Sequence, residues 1–151
     1  MNMEVTKRID FNCCYIQNHQ IEAHNCKLEV TVVGPQRFND LGRVITSEDL
    51  TKYMKEVVPD KAFLFFMSDE SGVIVANAFK KAGCRIVGCD FEISAENLCS
   101  YCASELQDQF DTFEPGIKII DMKFIPIFFF SIFYHFFKSI FLKFNLVFFI
   151  F

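Results

Sequence analysis

The chain has 151 residues, a formal net charge of −4 and seven cysteines. That length suits one domain with a single core, and the acidic balance argues against a nucleic-acid binder, because no Lys/Arg stripe is left to neutralise phosphates. An odd cysteine count in a domain of ordinary size, with no signal peptide at the N-terminus, points to a reducing, cytoplasmic compartment.

The first element is a short strand through Ile9-Asp10-Phe11-Asn12-Cys13-Cys14-Tyr15. A polar crossing leads to a second strand from Glu22 to Val33. There Leu28, Val30 and Val32 alternate strictly with Lys27, Glu29 and Thr31. Period-two alternation rich in β-branched residues marks a strand with one face buried. Side chains two apart share a face, so Glu22, His24 and Cys26 stand in one row, as do Cys13 and Tyr15 in the first strand. A carboxylate, an imidazole and a thiol in a row suit a metal or a substrate. His19, beside the turn, is expected to face solvent.

Gly34-Pro35-Gln36-Arg37-Phe38-Asn39-Asp40 is turn chemistry, and Leu41 to Ile45 reads as a short extended piece. Thr46 or Ser47 caps a first helix, with Glu48 and Asp49 in its first turn and Leu50, Tyr53, Met54 and Val57 at helical spacing before Pro59. Asp69 or Ser71 opens a second helix through Val73, Val75, Ala76, Phe79 and Ala82, stopped by Gly83. Cys84 to Cys89 is a short strand. Ser94 caps a third helix carrying Leu98, Cys102 and Leu106, and Ile117 to Met122 is a last strand after the turn Glu114-Pro115-Gly116. Strand, strand, helix, helix, strand, helix, strand predicts an α+β domain, with helices on one face of a mostly antiparallel sheet. Cys99 and Cys102 have CxxC spacing inside a helical pattern without a second pair, and they read as small buried hydrophobes.

Residues 1–124 form the domain, and the composition breaks after them. Residues 125–151 hold no acidic side chain and have Phe at 11 of 27 positions. The run is long enough to span a bilayer, but Lys138 and Lys143 fall inside it, and a Lys near the membrane centre costs about 2.5–3.5 kcal/mol. Two further readings stay open: translation of AT-rich non-coding DNA, and a helix buried against a partner. Membrane association rests on the first alone.

The ordered motifs carry a resemblance. EAHNCKLEVTV resembles the H-G-H-N-Y-x-L-E-V strand of the 6-pyruvoyl- and 6-carboxy-tetrahydropterin synthase family, and FNCCY resembles the F-x-A-A-H strand before it. Gly42 to Leu50 stands in place of GMVxDFxDL, Asp60-Lys61-Ala62-Phe63-Leu64 in place of DH-x-x-L, and Ile93-Ser94-Ala95-Glu96-Asn97-Leu98 in place of P-T-A-E-N-L. A final strand ending in Glu-Thr becomes Ile119-Ile120-Asp121-Met122. The resemblance spans most of residues 5–122. It implies a tunnelling fold whose subunits join into a ring or barrel, as a homo- or hetero-oligomer. It also implies a zinc-dependent lyase acting on a pterin, 7,8-dihydroneopterin triphosphate.

Carried over residue by residue, the family's three zinc histidines fall on Tyr15, Glu22 and His24, so only His24 is kept. Cys26, on the face of Glu22 and His24, is a substitute ligand of the right softness. The family's proton-transfer cysteine falls on Asn18, which cannot form a thiolate, and its Asp-His partner falls on Asp60 and Lys61. The substrate-anchoring acid becomes Asp121. Ser94 and Glu96 keep the hydroxyl and carboxylate of the third helix start, where helix capping explains them equally well. Positions that carry the fold match, while those for metal and base mostly do not. The expectation is a family member with impaired or absent catalysis, or a pterin-binding or assembly partner of an active paralogue.

Overall fold

A computed structural model describes residues 2–17, 20–36 and 44–127. Asn18, His19, most of the turn after the second strand and the run 128–151 lie outside the described residues, with the expectations placed on them. The elements are β1 (Asn2–Gln17), β2 (Gln20–Pro35), α1 (Ser47–Val57), β3 (Ala62–Phe66), α2 (Glu70–Lys81), β4 (Ile86–Cys89), α3 (Ala95–Phe113) and β5 (Lys118–Ile127). They build one five-stranded sheet in the order β4-β3-β1-β2-β5.

The alternation read from the sequence sets the pairing. β1 and β2 run antiparallel with Ile9 opposite Leu28, Cys13 opposite His24 and Tyr15 opposite Glu22. Odd positions of β1 and even positions of β2 therefore share one face. On that face Phe11, Cys13, Tyr15, Cys26, Leu28, Val30 and Val32 are buried. They meet Leu50 and Met54 of α1 and Leu98, Cys102, Leu106 and Phe110 of α3. β5 pairs antiparallel with β2 and puts Met122 and Phe124 against the same core, with a register shift between Thr31 and Val32.

The helix starts follow the expected chemistry. Thr46 accepts from the Asp49 N–H, Asp69 from that of Ser71, and Ser94 from that of Asn97. Each satisfies one donor that the first turn leaves open. Val44 and Ile45, expected to be extended, form a bend into α1 with both side chains buried. α2 ends where expected: Gly83 adopts φ +87, its N–H bonds to the Lys80 carbonyl, and the Cys84 N–H bonds to that of Phe79. That pair of bonds is the Schellman closure, and it requires the left-handed region that glycine enters freely.

Three features differ from the sequence reading. β1 starts at Asn2, because Lys7 interrupts the apolar alternation yet stays in the strand, its ammonium reaching Ser47 Oγ at 2.9 Å. Ala62 to Phe66 is a strand of its own, an apolar run without alternation. It pairs parallel to β1 and, on its other side, parallel to β4. The sheet is thus antiparallel through β2, β1 and β5 and parallel at the β3-β4 end, as a helical crossover between neighbouring strands demands. Finally, α1 and α3 cover the core face, while α2 packs on the other. Phe63 points away from the buried Leu64, and its ring stacks on Phe79 of α2 at 4.5 Å. β5 also runs on through Ile127, which lies opposite Asn25, so residues 125–127 pair with the domain sheet. Among the described residues no helix is long and apolar enough to cross a membrane.

Leu28 is fully buried where α1 and α3 meet the sheet. Leu28→Ala should lower the unfolding free energy by about 2–5 kcal/mol with an unchanged urea slope. Ile74→Ala, at a side chain 72% exposed on α2, should change it by less than about 0.5 kcal/mol.

Candidate functional site

The β1-β2 register gathers most of the residues singled out in the sequence. Tyr15 and His24 lie diagonally across the two strands, and their rings stack at 4.2 Å with 29° between planes. His24 Nε2 is 3.3 Å from Glu22 Oε2. Cys13 Sγ and Cys26 Sγ, both buried, share a hydrogen bond at 3.9 Å. Two polar atoms in this patch are buried without a partner: the Tyr15 hydroxyl and His24 Nδ1. Burial, reinforced by the nearby thiols and Glu22, pushes the Tyr15 phenol above its ordinary range. The shared hydrogen bond with Cys26, and then burial, push the Cys13 thiol up.

A cavity of about 300 Å³ opens on the other face of the hairpin, lined by Asn12, Cys14, Ala23, Asn25, Lys61 and Phe63 among others. Lys61 is placed there by a backbone clamp around Asp60. The Asp60 carboxylate accepts from the Asn12 N–H at 3.0 Å, the Lys61 N–H donates to the Asn12 carbonyl at 2.6 Å, and Arg85 donates to the Asp60 carbonyl at 2.7 Å. Lys61 sits at φ +55, a left-handed position that an L side chain enters at a cost. These bonds dock the start of β3 on β1. The Asp60 carboxylate is thereby committed to the backbone.

The remaining candidates stand elsewhere. Ser94 caps α3 and Glu96 lies exposed in its first turn. They follow a second cavity, of about 530 Å³, lined by Gln17, Phe66, Ser68, Asp69, Ser71, Glu92 and Ile93 where β1 and β3 end. Asp121 is exposed on the face opposite the core, paired with Thr31 and 3.8 Å from Lys123. Thr31 is seven residues along β2 from His24, about 23 Å at 3.3 Å per residue. Within one chain, Asp121 and His24 therefore do not share a site. Cys102 is fully buried in the core, and Cys99 donates to the Met122 carbonyl at 3.5 Å, so the CxxC pair serves packing. Asn18 lies outside the described residues.

The three positions that the resemblance assigns to zinc do not fit that ion as they stand. One is a phenol held in its neutral form by burial, and the single imidazole is stacked on it. Among the described residues no three His, Cys, Asp or Glu side chains converge on a metal position. Sequence reasoning saw that Cys26 shares a face with His24. It did not see that Cys13 is the partner of Cys26, because that contact depends on the register across the hairpin.

No family model matches the sequence, and no curated protein matches it. Solved structures do match in three dimensions. An uncharacterized protein from Wolinella succinogenes superposes with a TM-score of 0.62 at 13% identity, over 83% of this chain and 93% of that one. The 6-pyruvoyltetrahydropterin synthase of Plasmodium vivax superposes with a TM-score of 0.57 at 13% identity, over 83% and 98% of the two chains. A catalytic-residue mutant of that synthase, with a glutamate replaced by alanine, matches equally well. The chain has the α+β fold of these proteins.

Two substitutions test the site as described. Tyr15→Phe removes a buried hydroxyl with no partner and should raise the unfolding free energy by about 1–3 kcal/mol in urea melts; a loss of that size would show that the hydroxyl is bonded. Lys61→Gly relieves the left-handed residue and should stabilise by about 1 kcal/mol. Destabilisation there would mean that the Lys61 side chain itself holds the clamp.

Proposed function

We propose that this protein is a divergent relative of the 6-pyruvoyl- and 6-carboxy-tetrahydropterin synthases, of the pterin substrate class, with its lyase chemistry impaired or lost. One observation carries the reading. The hairpin that would present three metal ligands instead presents a Tyr15–His24 stack beside a buried thiol pair. Zinc in such a site would polarise a substrate oxygen. A neutral phenol and a lone imidazole do not assemble the three-ligand set that such an ion needs.

The proton-transfer positions support the same reading. In the Plasmodium vivax synthase a glutamate is a catalytic residue; in this chain the family's proton-transfer cysteine carries over to Asn18, whose amide neither takes nor releases a proton near neutral pH. Asp60 is spent on the Asn12 backbone, and Lys61 is exposed. A second reading, that the chain binds a pterin or assembles with an active paralogue, draws on two features. A cavity of about 530 Å³ is lined by Glu92 and Ile93, next to Ser94 in sequence, and β5 is an edge strand with one side unpaired among the described residues. Such edges are usually covered by a partner or guarded.

The test is a turnover assay of the full chain with 7,8-dihydroneopterin triphosphate and added zinc. The expected result is no triphosphate release above background, and release at the rate of an active synthase would overturn the proposal. Fluorescence titration with a pterin separates the two readings, because only the second predicts saturable binding or co-purification with an active paralogue.

A further inference from the structure

The face of the sheet opposite the core is bare at one end. β2 pairs with β1 from Gln20 onward but with β5 only from Asn25 onward, so among the described residues the β5 side of its backbone from Gln20 to His24 has no partner strand. Such edges are normally paired or covered. The side chains there are apolar as well. Ile21 is 44% exposed, Ala23 is exposed, and Cys14, opposite Ala23, is half-buried. Phe63 stands beside Cys14 on β3, which gives the row Phe63, Cys14, Ala23 across three strands. This row lines the cavity of about 300 Å³, and no described residue of β5 lines it. β5 runs toward this gap. Its ladder reaches Ile127 opposite Asn25, and the next three residues in the sequence are all Phe.

We propose that this edge and cavity are the docking surface for residues 128–131 of the same chain, with the Phe129 ring laid over Ala23 and closing the cavity beside Phe63. The register selects the residue. An antiparallel ladder that pairs Ile127 with Asn25 brings position 129 opposite Ala23 and position 131 opposite Ile21. Alternation puts position 129 on the face of Ile125 and Ala23, and positions 128 and 130 on the other. Neighbouring strands lie about 4.8 Å apart, and Ala23 is small enough for a ring to cross it toward Cys14. Aromatic side chains make such cross-strand contacts readily. The segment is tethered at Ile127, so docking avoids most of the entropy cost that a separate partner meets. Apolar rings leave water as they dock, which favours the contact further.

The half-buried Cys14 thiol in the cavity reports on the docking. Iodoacetamide labelling of the reduced full chain, mapped by mass spectrometry, is scaled to Cys84, a half-buried thiol just before β4 at the other edge of the sheet. Phe129→Ser should raise Cys14 labelling several-fold, because the cover is lost. Phe130→Ser, whose side chain belongs to the other face, should leave it unchanged. No rise in Phe129→Ser, or an equal rise in both variants, overturns the proposal. A benzophenone side chain in place of Phe129 keeps the aromatic bulk and identifies what it covers. Adducts to the peptides around Ala23 or Phe63 within a single chain are expected. Adducts that join two chains, adducts to added phosphatidylcholine vesicles, or none on this face would each overturn it. Neither readout depends on turnover, so this docking and the pterin reading can each fail alone.

Discussion

The register of the β1-β2 hairpin is the constraint on which the rest depends. Its pairing runs without a break from Asn2 opposite Pro35 to Gln17 opposite Gln20. With a side-chain period of two, a slip by one residue would turn Leu28, Val30 and Val32 to solvent and Lys27, Glu29 and Thr31 to the core. The hydrophobic term is large enough to forbid that slip: each fully buried aliphatic side chain contributes about 1.5–3 kcal/mol. Site residues inherit this register. Tyr15, Glu22, His24, Cys13 and Cys26 meet because Leu28 and its neighbours must be buried, with no local motif required.

The other face follows opposite rules. Thr6 bonds Thr31 at 2.8 Å, and Arg8 makes a two-nitrogen contact with Glu29, at 2.6 and 3.0 Å. Lys123 lies 3.8 Å from both Glu29 and Asp121. The Arg8 contact holds the Glu29 carboxyl below its ordinary range, though exposed pairs of this kind add little stability. Only the β3 end of this face is apolar. There Phe63, Phe65 and Ile16 share a side by register, and Phe79 of α2 stacks on Phe63. α2 therefore covers that end and leaves the long antiparallel strands polar and open. Asp121 belongs to this polar ladder, which separates it from the His24 patch.

Most of the fold was legible because its signals are local. Alternation marked β2, three capping side chains marked the helix starts, and Gly83 marked an end. What escaped needed information from across the chain. Ala62 to Phe66 is apolar at every position, so period could not separate a buried strand from a helix fragment; its pairing with β1 decided the matter. The second face was hidden for the same reason, since Phe63 and Leu64 look alike in sequence yet point to opposite sides. Within the site, the row Glu22, His24, Cys26 was visible in one strand. The Cys13–Cys26 contact and the Tyr15–His24 stack exist only once the hairpin register is known.

Fold and chemistry impose different demands on the same face, and here they separate. The core asks of a residue on β1 or β2 that it fill volume and leave few polar atoms unpaired. A metal site asks for lone pairs aimed at a point, with the protons gone. Tyr15 meets the first demand with its ring, although it strands a hydroxyl, and Cys13 and Cys26 meet it as compact, weakly polar groups. None of the three disturbs the pairing, so the chain keeps the architecture that it shares with the solved synthase at 13% identity. The same face holds the Tyr15–His24 stack and the Cys13–Cys26 contact side by side, both consistent with packing alone.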